Sequence, residues 1–170
     1  KRLLDTFRKH MDKGVDFVVE FGYALLELRF LFDRFIIKRE FLNDKEQWSL
    51  KHLKLYEKKN VSYVNTFGDE ENDNSLNQEI IMRLSMFHVS APTQIYKHWL
   101  NAALHYVYNY DEDGYLDYLN GLSEAFLFDR FLSNSPLDYY DIIYENEGVP
   151  QEDGSNAYWD LLHQGPQVEN

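Results

Sequence analysis

The chain has 170 residues, enough for one domain with its own core, and its 44% hydrophobic and 16% aromatic content excludes a disordered polymer. The absence of cysteine excludes disulfides, thiolate metal sites and a cysteine nucleophile. The net charge of -12 is uneven: residues 1–109 hold 16 Lys and Arg against 15 Asp and Glu, while residues 110–170 hold Arg130 alone against 14 acids, a poor primary grip for phosphate.

Helical spacing dominates the chain from its start. Val15, Phe17, Val18, Phe21, Leu25, Leu28, Phe32, Phe35 and Ile36 step by threes and fours, which predicts a long buried helix over 15–38. Gly22 inside it would admit a close neighbouring helix. Trp48, Leu50, Leu53 and Leu55 predict a more polar helix over 46–58, and the run from Phe67 to Asn74 reads as a loop. Ser75 and Gln78 have capping-box spacing and open a helix through Ile80, Ile81, Leu84 and Phe87. Pro92 separates it from a helix over Thr93–Tyr108. After the break at 111–114, a further helix runs to about Leu132. Ser135 and Pro136 suit the start of another, carrying Tyr139, Ile142 and Ile143, and Ser155–His163 reads as a last short helix. No period-two run bounded by hairpin turns stands out. The expected fold is all-α, an irregular bundle of about six to eight helices in a single domain over residues 1–170.

No apolar run approaches the roughly 20 residues that cross a bilayer; the best candidate, Phe30 to Ile37, is broken by Asp33 and Arg34. With no signal-peptide pattern, the chain is expected to be cytoplasmic, with no membrane partner.

One hexapeptide recurs letter for letter: Phe30-Leu-Phe-Asp-Arg-Phe35 and Phe126-Leu-Phe-Asp-Arg-Phe131. Neighbouring Asp and Arg do not face each other on one helix. They pair only if two helices cross, Asp33 with Arg130 and Asp129 with Arg34. Coincidence in an aromatic-rich helical chain is the competing explanation, and one matched segment does not make a repeat protein.

Candidate chemistry is sparse. Asn109, Asp111, Asp113, Gly114 and Asp117, closing at Asn120, overlap a calcium loop, but Asn stands at the first position and at the twelfth, where a bidentate Glu is needed. A helix–helix turn with acidic capping explains the same residues and is the preferred reading. His10, His52, His88, His98, His105 and His163 contain no His-Glu-x-x-His pattern. His98 and His105 lie about 10.5 Å apart along a helix, too far for one ion. There is no nucleophile elbow and no glycine-rich phosphate loop. Lys51, Lys54, Lys58 and Lys59 straddle the expected helix over 48–59, and a solvated face is preferred to a phosphate grip. Tyr96, Trp99, Tyr106, Tyr108 and Tyr110 read as core and interface rather than a base-stacking platform, with Trp99 inside and Lys97 solvated. No catalytic, cofactor-binding or metal-ligating residue is nominated, and no cofactor is expected.

Three stretches carry a family resemblance. They are Leu84-Ser-Met-Phe-His-Val-Ser-Ala-Pro-Thr-Gln-Ile-Tyr96-Lys97-His98-Trp99-Leu100-Asn101, the segment from Tyr115 through Phe126–Phe131 to Asp138-Tyr-Tyr-Asp-Ile-Ile-Tyr144, and the closing Trp159-Asp-Leu-Leu-His-Gln-Gly165 with Val168-Glu169-Asn170. Together they resemble the helical part of the GmrSD-type restriction family, also catalogued as domain of unknown function 262. The likeness covers residues 80–170 well and the first 80 loosely. It implies a bacterial defence protein in which this region follows a ParB/sulfiredoxin-like nucleotide-hydrolysing domain bearing an Asp-Gly-Gln-Gln-Arg motif, with an HNH-type nuclease domain at the end of many members. Neither motif occurs here, so no catalytic residue carries over. The chain is therefore expected to be a non-catalytic fragment whose partners are the other domains of the same protein, with DNA reached only indirectly. The alternative is a stand-alone protein- or peptide-binding domain, which needs an exposed apolar cleft between helices.

Overall fold

The structure is a computed structural model that describes residues 2–42, 44–56, 60–68, 75–90, 97–110 and 112–151. In chain order it places helices α1 (Arg2–Arg8) and α2 (Gly14–Phe35) and then four strands, β1 (Lys38–Leu42), β2 (Lys45–Ser49), β3 (Lys51–Leu55) and β4 (Val61–Asn65). Helices α3 (Ser75–Ser90), α4 (His98–Asn109) and α5 (Tyr115–Ala125) follow. α5 runs on into a wider π-type turn over Phe126–Leu132, and a second π-type turn spans Asp141–Glu145.

The expected all-α fold is wrong: the protein is mixed, with helices and two antiparallel two-stranded sheets. The helix expected over 46–58 does not form. The described residues of that span lie mainly in β2 and β3, joined through Leu50. β1 pairs with β2 from Lys38↔Ser49 to Leu42↔Lys45, and Asp44, just before β2, takes φ 58°, a left-handed conformation that Asp tolerates. β3 pairs with β4 from Lys51↔Asn65 to Leu55↔Val61. Leu50, fully buried, ties the two hairpins together: its carbonyl accepts the Thr66 amide at 3.1 Å while its side chain joins the core. Helical spacing misled here because Leu50 and Leu53 sit three apart, yet one joins two strands and the other lies in a strand.

Other boundaries also move. α2 stops at Phe35, and Lys38 starts a strand. Ser135 and Pro136 lie in the connector, and the next helical turn begins at Tyr139, with the Ile142 amide donating to the Asp138 carbonyl. Gly22 meets no neighbouring helix; nothing lies within 4 Å of where a Cβ would stand. The expected helix Ser155–His163 and most of the loop before Ser75 lie outside the described residues.

The core gathers the end of α2, the inner faces of α3, α4 and α5, and the second π-type turn. Leu84, Ala102, Ala103, Leu119, Leu122 and Ile142 are fully buried. Trp99 is buried, as expected, and stacks on Phe87 with centroids 6.4 Å apart. Buried Asn77 accepts the Phe67 amide at 3.2 Å, which closes the chain entering α3 onto that helix.

The C-terminal end of α2 is tied on every side. An α-helix leaves its last carbonyls without partners beyond the helix end. Here the Ile36 amide takes the Phe32 carbonyl, the Lys38 ammonium takes that of Asp33, the Thr66 hydroxyl takes that of Arg34 at 2.7 Å, and the Tyr115 hydroxyl takes that of Phe35 at 3.4 Å. β1, the residue after β4, and α5 are thereby fixed to one helix end. Placing a lysine there also suits the negative end of the helix dipole. Tyr115 is fully buried, and burial pushes its phenol far above the usual range, so it remains a donor.

Candidate functional site

That helix end and the two hairpins enclose a groove of about 610 Å3. Cations reach it from three elements: Arg29 and Arg34 on α2, Lys38 and Arg39 on β1, and Lys51 on β3. Asp33 and Glu40 are the carboxylates in the same lining. The groove thus carries an excess of positive charge, in the half of the chain with nearly balanced charge overall.

Each cation is held differently. Arg29 pairs with Asp33 one helical turn on at 3.0 Å, and Arg39 with Glu46 across the first hairpin at 3.1 Å; all four side chains are largely exposed. Arg39 also lies over the Trp48 ring, its directly paired residue. Lys51 is half-buried against Glu40 at 2.8 Å, a contact that holds the Glu40 carboxyl below its usual range. Arg34 reaches out of the groove to Glu112 at 2.7 Å, while its Nε is buried with no hydrogen-bond partner. Among the described residues, the Lys38 ammonium bonds to two carbonyls, those of Asp33 and Lys51. Burial lowers its pKa, Asp33 opposing and Arg29 adding to the effect.

His52, on β3, completes the wall. Its Nδ1 is buried without a partner, and burial followed by Arg34 and Lys54 depresses its pKa, with Glu112 opposing. The imidazole is therefore neutral near pH 7. Two exposed rings flank the opening, Phe30 on α2 and Tyr63 on β4, with Leu53 directly opposite Tyr63 in the sheet.

The residues singled out in the sequence scatter. The calcium-like loop does not act as a unit: the Asn109 amide donates to the His105 carbonyl, Glu112 holds Arg34, and Asn120 accepts the Arg83 guanidinium at 2.6 Å. Asp111 lies outside the described residues. No group of three or more His, Asp or Glu side chains is poised for a metal among the described residues. The crossed pairs between the two hexapeptides do not form. Asp33 pairs with Arg29 and Arg34 with Glu112, whereas buried Asp129 accepts the Gln151 amide at 2.9 Å and Arg130 donates to the Leu137 carbonyl at 2.8 Å.

Histidines sit against rings: His98 stacks on Tyr139 at 4.3 Å, His105 meets Tyr144 edge-on, and His88 lies between Trp48 and Trp99. In the tyrosine stripe, Tyr106 packs inside against Tyr118 at 4.1 Å, while Tyr108 and Tyr110 are exposed. Lys97 is half-buried rather than fully solvated. Tyr96, Lys58, Lys59 and His163 lie outside the described residues. Of the basic cluster, Lys51 lines the groove, and Lys54 lies near enough to depress the His52 pKa. The other cations of the groove, Arg29, Arg34, Lys38 and Arg39, form no pattern in the sequence, because their convergence depends on the turn from α2 into β1 and on the hairpins.

No helix among the described residues is long and apolar enough to cross a membrane. No family model, curated protein or solved structure matches the chain.

Proposed function

We propose that the chain is a non-catalytic module of a GmrSD-like bacterial defence protein, seated in the cytoplasm against the nucleotide-hydrolysing domain that such proteins carry ahead of this region. The observation that carries the reading is α2, which is apolar on two opposite sides. Phe32 and Phe35 pack into the core and Phe17 packs against Phe7 of α1, while Val15, Val18, Val19 and Leu26 form a second stripe at helical spacing around Gly22. Val15 is 75% exposed and Leu26 70%. A contiguous exposed apolar surface marks a contact with another protein surface.

Gly22 lies in the middle of the α2 stripe with open space before it, where a partner backbone can approach closely. The peptide-binding alternative asks for an apolar cleft, whereas this apolar stripe is the outer side of one helix and the large groove beside it is charged.

The complete reading frame tests the proposal. An Asp-Gly-Gln-Gln-Arg motif encoded upstream, together with loss of assembly on Leu26→Glu, supports it. A frame without that motif, or an assembly indifferent to Leu26→Glu, overturns it.

A further inference from the structure

The groove beside α2 is left unused by that docking. We propose that it binds a nucleotide, the phosphate over the cations of α2, β1 and β3 and the base against the Tyr63 ring. The inference stands on its own residues and does not need the module to be docked.

Its first ground is convergence. Arg29, Arg34, Lys38, Arg39 and Lys51 come from three elements to one cavity, whose lining supplies only Asp33 and Glu40 in opposition. Outside the lining, Glu46 and Glu112 pair with Arg39 and Arg34. The Arg29–Asp33 and Arg39–Glu46 pairs are exposed, so they hold weakly and their guanidinium groups are easily redirected to a phosphate. Among the described residues Lys38 has no carboxylate hydrogen-bonded to it; two carbonyls use two of its three N–H donors.

The second ground is the field. Beyond the cost of burial, the neighbouring cations Arg34, Lys54 and Lys38 depress the His52 pKa against the pull of Glu112 alone, which is the electrostatic condition an anion would meet there.

The third ground is aromatic. Tyr63 is 65% exposed at the opening, and Phe30 flanks it from α2. Cations tracking a backbone beside exposed rings are how unpaired bases are held. An acidic peptide would use the cations and gain little from Tyr63, so the ring separates the two.

The test is fluorescence anisotropy of a labelled oligothymidylate of about 12 nucleotides at low salt, using the whole chain. Binding is expected, with Arg29→Glu and Arg39→Glu each weakening it at least about threefold and lowering the salt slope by about 0.7 per lost phosphate contact. Tyr63→Ala should weaken it about tenfold and Tyr63→Phe should restore it. Arg8→Glu, on α1 and equally exposed, should leave binding unchanged. Competition by thymidine monophosphate separates the sources: displacement at equal nucleotide concentration points to a free nucleotide, and much weaker displacement to a strand. Bound phosphate should also raise the His52 pKa, read from its imidazole proton resonance. No binding of either ligand, equal weakening by Arg8→Glu, or polyglutamate binding as tightly with Tyr63→Ala inert, would each overturn the proposal.

Discussion

Thr66→Val tests whether the end of α2 is held by its captured carbonyls. The substitution keeps the branched shape and removes only the hydroxyl that donates to the Arg34 carbonyl at 2.7 Å. The adjacent carbonyls of Asp33 and Phe35 have their own donors in Lys38 and Tyr115. A net hydrogen bond is worth about 1 kcal/mol, and an acceptor left unpaired in a buried place costs about 1–3 kcal/mol. Thr66 is half-buried, so water compensates in part and the expected loss is about 1–1.5 kcal/mol. For a chain of this size that lowers Tm by roughly 2–6 °C.

Urea unfolding followed by the fluorescence of the three tryptophans, buried Trp99 among them, measures the loss, with an unchanged m-value as the control. Thr66→Ser, which keeps the donor, should stay within about 0.5 kcal/mol of the parent. Tyr115→Phe, removing a longer bond, should lose about 0.5–1 kcal/mol, and the double variant should depart from additivity because the two carbonyls are neighbours. A Thr66→Val protein within about 0.3 kcal/mol of the parent, or a Thr66→Ser protein equally weakened, would refute the reasoning.

Three further outcomes follow from the same contacts. Leu119→Ala, at a fully buried position of α5, should lose about 2–5 kcal/mol in urea unfolding. Gly148→Ala should lose about 2–4 kcal/mol, because Gly148 holds φ 74° and a Cβ would stand 2.8 Å from the Tyr118 ring; a loss below about 1 kcal/mol would mean the loop rearranges. His52 and His88 have pKa values lowered chiefly by burial, so on acidification the unfolded chain takes up protons first, near 6.5, and the fold loses stability from there down to the folded values. The urea midpoint should therefore be lower at about pH 5.5 than at about pH 7.5, with a smaller drop in His52→Gln; a rise at the lower pH would contradict this sign.

How much of this the sequence shows depends on whether the signal is local. α3 starts at Ser75, and the helical path of α5 runs on to Leu132 through its π-type extension, as apolar spacing indicates. Trp99 is buried because it lies on the inner stripe of α4. The hairpins were hidden because no Asn-Gly or Asp-Gly turn marks them; Asp44 takes the left-handed conformation without a glycine beside it. Period-two signals were present in Leu53-Lys54-Leu55 and Val61-Ser62-Tyr63, but the nearby Leu50 and Trp48 gave an equally good helical count. The groove was less legible still. Arg29 and Lys51 are far apart in the chain, and only the turn from α2 into β1 and the link at Leu50 bring them together. The repeated hexapeptide illustrates the opposite error, since identical letters serve an α-helix end in one copy and a π-type turn with a buried Asp129 in the other.

Docking through the outer stripe of α2 is tested most directly by a photo-crosslinking residue placed at Leu26 in the protein made from the complete reading frame. The expected result is that the frame encodes a nucleotide-hydrolysing domain upstream and that Leu26 crosslinks to it, with the crosslink abolished by Val18→Glu on the same stripe. Capture of solvent alone, or of residues within this chain, would contradict it.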